Sequence, residues 1–199
     1  MKYNIITIER EYASGGSEIG EMLSKRLHIP CYEKEILERV AEKYSVLPEQ
    51  LADLEEASTS SLLYSIALSN KIVKGESTGL TDEGALFLAE SRVIQEIANE
   101  NRCIIVGRCA NYVLQDRKDV LRVFIHASVE TRRKRAMEKY GVAETEVKAV
   151  LKKYDKRRSG YYMANANKKW KEIEEYHLML DSGNLGIERC VNLICTAAE

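Results

Sequence analysis

The stretch from Ile5 to Gly20, IITIEREYASGGSEIG, sets a short β-branched run directly before Ser14-Gly15-Gly16-Ser17 and a helix-like pattern. Glycines there permit positive φ and let backbone N–H groups approach an anion, while the N-terminus of the following helix adds partial positive charge. The chemistry this suits is phosphate binding. A Walker A loop, GxxxxGK[ST], would also supply a lysine for the β- and γ-phosphates and a hydroxyl for Mg²⁺. With Gly16 as its second glycine, Glu11, Ser17 and Glu18 occupy the first glycine, lysine and hydroxyl positions; with Gly15, Arg10, Gly16 and Ser17 do. The lysine is absent in both registers. Ser14, Gly15, Gly16 and Ser17 are therefore the expected cradle, and a plain glycine turn between strand and helix is the competing reading.

The elements that position this loop follow from the pattern of apolar residues. Five short segments rich in β-branched residues read as strands: Asn4 to Ile8, Pro30 to Tyr32, Cys103 to Val106, Arg122 to His126 and His177 to Asp181. Alternating with helical patterns, they predict an α/β fold around a buried parallel sheet. Ile19, Met22, Leu23 and Leu27 lie at helical spacing, so a helix over Glu18 to Leu27 should pack on that sheet. Residues 34–100 are helix-like without a convincing strand and are expected to cover one end of the sheet or form a substrate flap. Asp82 to Asn99 is their clearest helix, with Asp82 as N-cap.

From Val129 to Trp170 the chain is dense in lysine and arginine. The ordinary reading of such a run is a solvated helical face. Its place between the last two strands, and the cluster YDKRRSGYY at Tyr154 to Tyr162, point instead to a phosphate-contacting lid, because arginine forks pair with anions. High charge density leaves few apolar anchors, so such a lid is expected to open at low free-energy cost.

Composition narrows the classes. At 199 residues and 45% hydrophobic content, the chain is expected to form one domain over 1–199 with a substantial core. Thirty basic and 31 acidic residues give a formal charge of −1, which argues against a nucleic acid polymer as partner. The five cysteines form no CxxC pair and read as reduced thiols, consistent with the cytoplasm. Neither a signal-peptide h-region nor an apolar run of about 18 residues is present, so no membrane association is expected. His28, His126 and His177 lack metal-ligand spacing and read as structural.

Three features now fall in order: the glycine turn after the first strand, Gly107-Arg108 after the third, and the basic segment after the fourth. In an open α/β sheet, ligands bind outside the carboxyl ends of the strands, so the first two face one crevice that an insertion closes. With ITIEREYASGGSEIG, IIVGRCANYVL at Ile104 to Leu114, VFIHASVETRRKRAMEKYGV at Val123 to Val142, and KKYDKRRSGYYMANANKKW with LMLDSGNLGIERCVNLI later, the chain resembles the cytidylate kinase-like family, relatives of the P-loop nucleoside monophosphate kinases. The resemblance implies a five-stranded parallel sheet of order 2-3-1-4-5, with 34–100 as a helical acceptor-side region and 129–170 as the lid. The reaction it implies is transfer of the γ-phosphoryl of ATP, with Mg²⁺, to a small nucleoside monophosphate, CMP-like in type. Such transfer depends on positioning and charge neutralisation more than on covalent chemistry.

The same resemblance assigns residues. Arg108 matches the arginine that binds the acceptor phosphate, with Cys109 replacing the usual acid. Asp155 and Arg157 match the arginine- and aspartate-rich lid cluster, from which Tyr154 and Arg158 depart; Arg132, Arg133 and Arg135 are further lid candidates. Glu9 stands where such kinases carry an acid and suits a Mg²⁺-bound water, or else a salt bridge to Arg10. The missing lysine leaves Arg10 or the lid to supply the charge, so Arg10, Arg157 and Asp155 are the expected catalytic residues. No protein metal site is expected, and a homodimer is compatible with the sequence. Two rival readings remain. One is a weakly catalytic nucleotide-binding or regulatory protein on the same fold. The other, a dinucleotide-dependent reductase prompted by Gly15-Gly16-x-x-Ile19-Gly20, lacks the YxxxK pair at all eleven tyrosines.

Overall fold

A computed structural model describes residues 2–44 and 82–199. The least diagnostic part of the sequence, 45–80, lies outside the described residues. The chain divides into two compact units, Met1–Glu33 with Asn101–Glu199, and Lys34–Glu100.

The first unit is built on five parallel strands, β1 (Ile5–Arg10), β2 (Cys31–Tyr32), β3 (Cys103–Val106), β4 (Val120–His126) and β5 (Leu178–Asp181), in the order β2-β3-β1-β4-β5. This is the expected 2-3-1-4-5 sheet. Central β1 pairs on one side with β3, Ile8 opposite Val106, and on the other with β4, Arg10 opposite Ile125. A parallel sheet must be covered on both faces. Because side chains alternate along a strand, Ile6 and Ile8 point to one face. There they join Ile104, Val106, Val123 and Ile125 in a core closed by Ile19 and Leu23 of α1 (Gly16–Leu27) and by Val191 and Ile194 of the last helix (Ile187–Ala198). Thr7 and Glu9 point the other way, where Phe124 meets Trp170 and Tyr176 edge-on at 5.3 and 5.1 Å between ring centroids.

Helix α1 begins two residues earlier than its apolar spacing suggests, because Gly15 adopts a left-handed φ of 88° and serves as N-cap. It ends at His28, also left-handed, whose amide donates to the Ser24 carbonyl. The second unit contributes α2 (Glu35–Tyr44) and α3 (Asp82–Glu100), which contact each other and are joined by a Lys43–Glu96 ion pair.

A short α4 (Ala110–Val113) follows β3. The basic segment forms α5 (Val129–Tyr140), N-capped by the Ser128 hydroxyl, and α6 (Val147–Ala166). Here the structure corrects one expectation. Apolar anchors are not scarce: Ala136, Val147, Leu151, Tyr162, Ala166 and Trp170 are buried, so the charges sit on a well-seated arm. The anchoring face was hidden because apolar residues and lysines or arginines are interleaved along both helices. The chain closes with α7 (Ser182–Leu185) and α8 (Ile187–Ala198).

Candidate active site

The loop between β1 and α1 forms by a tight turn in which both the amide and the hydroxyl of Ser14 donate to the Glu11 carbonyl, at 3.2 and 2.8 Å. Ala13 and Gly15 both take positive φ, 58° and 88°. The alanine tolerates this strained conformation because it is clamped in a small apolar cluster with Ala136, Val147 and Leu151. At Gly15 a side chain is disfavoured by the positive φ, and its Cβ would displace the tip of the Ile187 side chain, whose Cδ1 would lie 2.4 Å away. A helix leaves its first N–H groups without intrahelical partners. Among the described residues, none accepts from the amides of Gly15, Gly16, Ser17 or Glu18. The four open amides of the helix N-terminus, Gly15 to Glu18, overlap the expected cradle at Gly15, Gly16 and Ser17; Ser14 drops out of it, because its amide and hydroxyl are both spent on the Glu11 carbonyl. Crystals grown in sulfate should hold an anion on the open amides; a loop filled by protein atoms would leave only a structural turn.

Arg10, last residue of β1, returns its side chain to this loop. Its aliphatic stem lies against Gly16, where a Cβ would sit 2.5 Å from the Arg10 Cβ, and its guanidinium lies over Gly107, where a Cβ would sit 1.9 Å from Nη1. Nη2 donates to Glu33 Oε1 at 2.7 Å, and the Ser17 hydroxyl donates to the same oxygen at 2.9 Å. A cation therefore stands beside Ser17, the position at which one register of the loop would carry its lysine. Gly107, Arg108 and Cys109 all have positive φ, a left-handed turn at the end of β3 that only the glycine adopts without strain. From that turn Arg108 Nε donates to the Glu33 carbonyl at 3.2 Å.

The arm residues reach the same region. Arg158 donates to the Arg10 carbonyl at 2.9 Å. Burial, and then the neighbouring Arg10 charge, pull its pKa down to about 9, so the site holds more positive charge than its surroundings stabilise. An anion bound beside it would offset the repulsion from Arg10 and favour the charged guanidinium. Arg157, the arginine matched by resemblance, instead lies 5.7 Å from the Tyr154 ring centroid, and Tyr154 stacks on Tyr12 at 4.4 Å. Asp155 accepts from the Tyr12 amide at 2.9 Å and pairs with Arg132 at 2.6 Å. Buried Arg132 also meets Glu11 at 3.3 Å and donates to the Tyr12 carbonyl at 3.2 Å. Arg135 donates to the Ser14 carbonyl and the Ser182 hydroxyl, each at 2.8 Å. Arg132 and Arg135 are thus loop braces, not a solvated face.

Glu9 does not pair with Arg10. Its Oε2 accepts from the Trp170 indole at 2.9 Å, and its Oε1 is buried without a hydrogen-bond partner. His177 Nδ1 accepts from the Arg122 amide, and among the described residues no group of three His, Cys, Asp or Glu could hold a metal ion. Among those residues no helix is long and apolar enough to cross a membrane.

The structure thus brings together Gly15, Gly16, Ser17, Arg10 and Arg108, leaves Ser14 in the turn before them, and places Asp155 in a brace. Sequence reasoning missed Glu33 entirely and preferred Arg157 to Arg158. Helical phase was the available signal for the latter: Tyr162, the buried residue of α6 bonded to Asn111 at 2.8 Å, is four residues from Arg158 and so shares its face. Nothing local marked Glu33.

Similarity to known proteins fits this geometry. A solved structure of an uncharacterized protein from Eubacterium ventriosum is 26% identical, with a TM-score of 0.73 and coverage of 98% of this chain and 97% of that one. A gluconokinase from Sinorhizobium meliloti is 13% identical, with a TM-score of 0.56 over 97% of this chain and 92% of that one. Shikimate kinase from Acinetobacter baumannii, in complex with shikimate, is 12% identical, with a TM-score of 0.52 over 98% and 92%. These two likenesses concern the fold, which is that of the P-loop kinases. No curated protein matches the sequence. The pattern of one family runs through residues 5–184, nearly the whole of what has been described, and the chain belongs to the cytidylate kinase-like family.

Proposed function

We propose that this protein is a nucleotide kinase that transfers the γ-phosphoryl group of ATP to a nucleoside monophosphate, CMP-like in type. The observation that carries the reading is the convergence of four unpartnered amides, Gly15 to Glu18, with the Arg10 guanidinium beside Ser17. A kinase-like family and a kinase fold support phosphotransfer in general.

ATP fits the amide array and its flanking arginines. For Mg²⁺, the Ser17 hydroxyl at the start of α1, which donates to Glu33, and the buried, unpartnered Glu9 Oε1 on the opposite face of the sheet are each hard oxygen groups of the kind such a cation prefers. When bound, ATP supplies the γ-phosphoryl and Mg²⁺ offsets part of its charge. The chain's own contribution is positioning. The amides of Gly15 to Glu18 hold the polyphosphate, Arg10 and Arg158 take the place of the lysine charge, and Arg108 draws the acceptor phosphate to the left-handed turn after β3. Residues 129–170 form the arm over the donor phosphates, with Asp155 holding Arg132 and Tyr12.

A second reading, a nucleotide-binding or regulatory protein with weak catalysis, draws support from Arg10 already pairing with Glu33. An ADP-release assay across a panel of nucleoside monophosphates, with ATP and Mg²⁺, separates the two. Turnover with one acceptor is the expected result; ATP binding with no turnover on any would favour the second reading.

A further inference from the structure

Glu33 contacts three residues that the site needs, through two different groups. Its Oε1 receives both the Arg10 Nη2 and the Ser17 hydroxyl, at 2.7 and 2.9 Å, and its backbone carbonyl receives Arg108 Nε at 3.2 Å. Burial raises its pKa, but the Arg10 charge, with hydrogen bonds from Arg10 and Ser17, more than offsets this and holds the carboxyl below its ordinary range. The carboxylate is therefore charged at neutral pH.

The fork of Arg10 is only partly used. Among the described residues Nη2 has its partner in Glu33, whereas Nη1, resting over Gly107, has none, and Nε is buried without one. A guanidinium carries five N–H donors in a rigid plane, so fixing one arm orients the others. Arg10 itself is confined between Gly16 and Gly107, and a side chain so held loses little rotamer freedom when a ligand arrives.

We propose that Glu33 is a positioning residue: its carboxylate fixes the Arg10 guanidinium beside Ser17 with Nη1 unspent, presenting a pre-oriented donor to a polyphosphate, while its carbonyl anchors Arg108 from the same point. The proposal rests on the reading of the Gly15 to Glu18 amides as a polyphosphate site. It runs against simple electrostatics, in which deleting a carboxylate near an anion site strengthens anion binding.

The test is calorimetric titration of inorganic tripolyphosphate, and separately ATP, into the wild type, Glu33→Ala, Glu33→Gln, Arg10→Ala and the Arg10→Ala/Glu33→Ala double variant. Glu33→Ala is expected to weaken tripolyphosphate binding about tenfold, in the range of couplings between contacting residues. Glu33→Gln, which keeps an oxygen acceptor for Arg10 and Ser17, should recover part of the loss. In the Arg10→Ala background, removal of Glu33 should have no further effect. Tighter binding by Glu33→Ala would overturn the proposal and make the carboxylate a competitor for Arg10. An equal loss with and without Arg10 would overturn it too, since a merely structural residue acts independently of Arg10. Failure of the wild type to bind either probe would instead overturn the polyphosphate reading of the loop, and the role of Glu33 with it.

Discussion

Arg10→Ala is expected to lower the rate of phosphoryl transfer about 10²- to 10³-fold, the usual effect of removing one electrostatic donor from a transition-state site. The loss arises because Arg10 is the cation beside Ser17 and the loop has no lysine to take over. Arg10→Lys should recover little: an ammonium carries the charge but lacks the planar fork that spans Glu33 and a phosphate. By the same logic, a lysine introduced at Ser17 in the wild type gains nothing and crowds Arg10 with a like charge, whereas in Arg10→Ala it restores part of the rate. Coupled ADP release, with nucleotide binding measured in parallel, reads all four variants. Unchanged turnover in Arg10→Ala would remove Arg10 from the chemistry and turn attention to Arg158.

The second large effect is on stability. Asp155→Ala removes the partner of Arg132, whose side chain is only 6% exposed, and leaves the Tyr12 amide without its acceptor. Breaking a buried ion pair by deleting one partner costs about 3 to 5 kcal/mol, and the lower end applies because Glu11 stays within 3.3 Å of Arg132. About 3 kcal/mol corresponds to a fall in Tm of roughly 6 to 12 °C for a chain of this size. Asp155→Asn, which still accepts from Tyr12, should lose less. Thermal unfolding checks this directly. An Asp155→Ala protein with wild-type Tm and no turnover would return Asp155 to the chemical role that the resemblance implies.

The sheet was legible because its strands are short β-branched runs bounded by long helical patterns, and a parallel sheet buried on both faces has no other common reading. The glycine loop was legible for a similar local reason: positive φ at Gly15 and close packing against Ile187 favour that residue type. What escaped was everything that depends on contact between distant elements. Glu33 lies 23 residues from Arg10, and Arg132 lies 120 from the Tyr12 carbonyl it holds. A charged residue reads as solvated until its partner is known, which is why Arg132 and Arg135 stood only as lid candidates against a solvated helix face, with no hint of the loop contacts they make. Arg157 and Arg158 differ only in helical phase, and a face so rich in charge gives the phase little apolar contrast.

The bracing of Ser14 also bears on when this protein becomes competent during synthesis. The Ser14 carbonyl is held by Ser182, 168 residues further along the chain, and Gly15 packs on Ile187. At about 5 to 20 residues per second of translation, the loop between β1 and α1 waits roughly 8 to 34 seconds after its own appearance for these supports to be made, and longer for them to leave the ribosome. On the proposed function, nucleotide is therefore poorly placed to act as a folding template for the nascent chain. Its stabilising effect belongs to the finished fold, and the emerging protein must reach that fold on its packing alone.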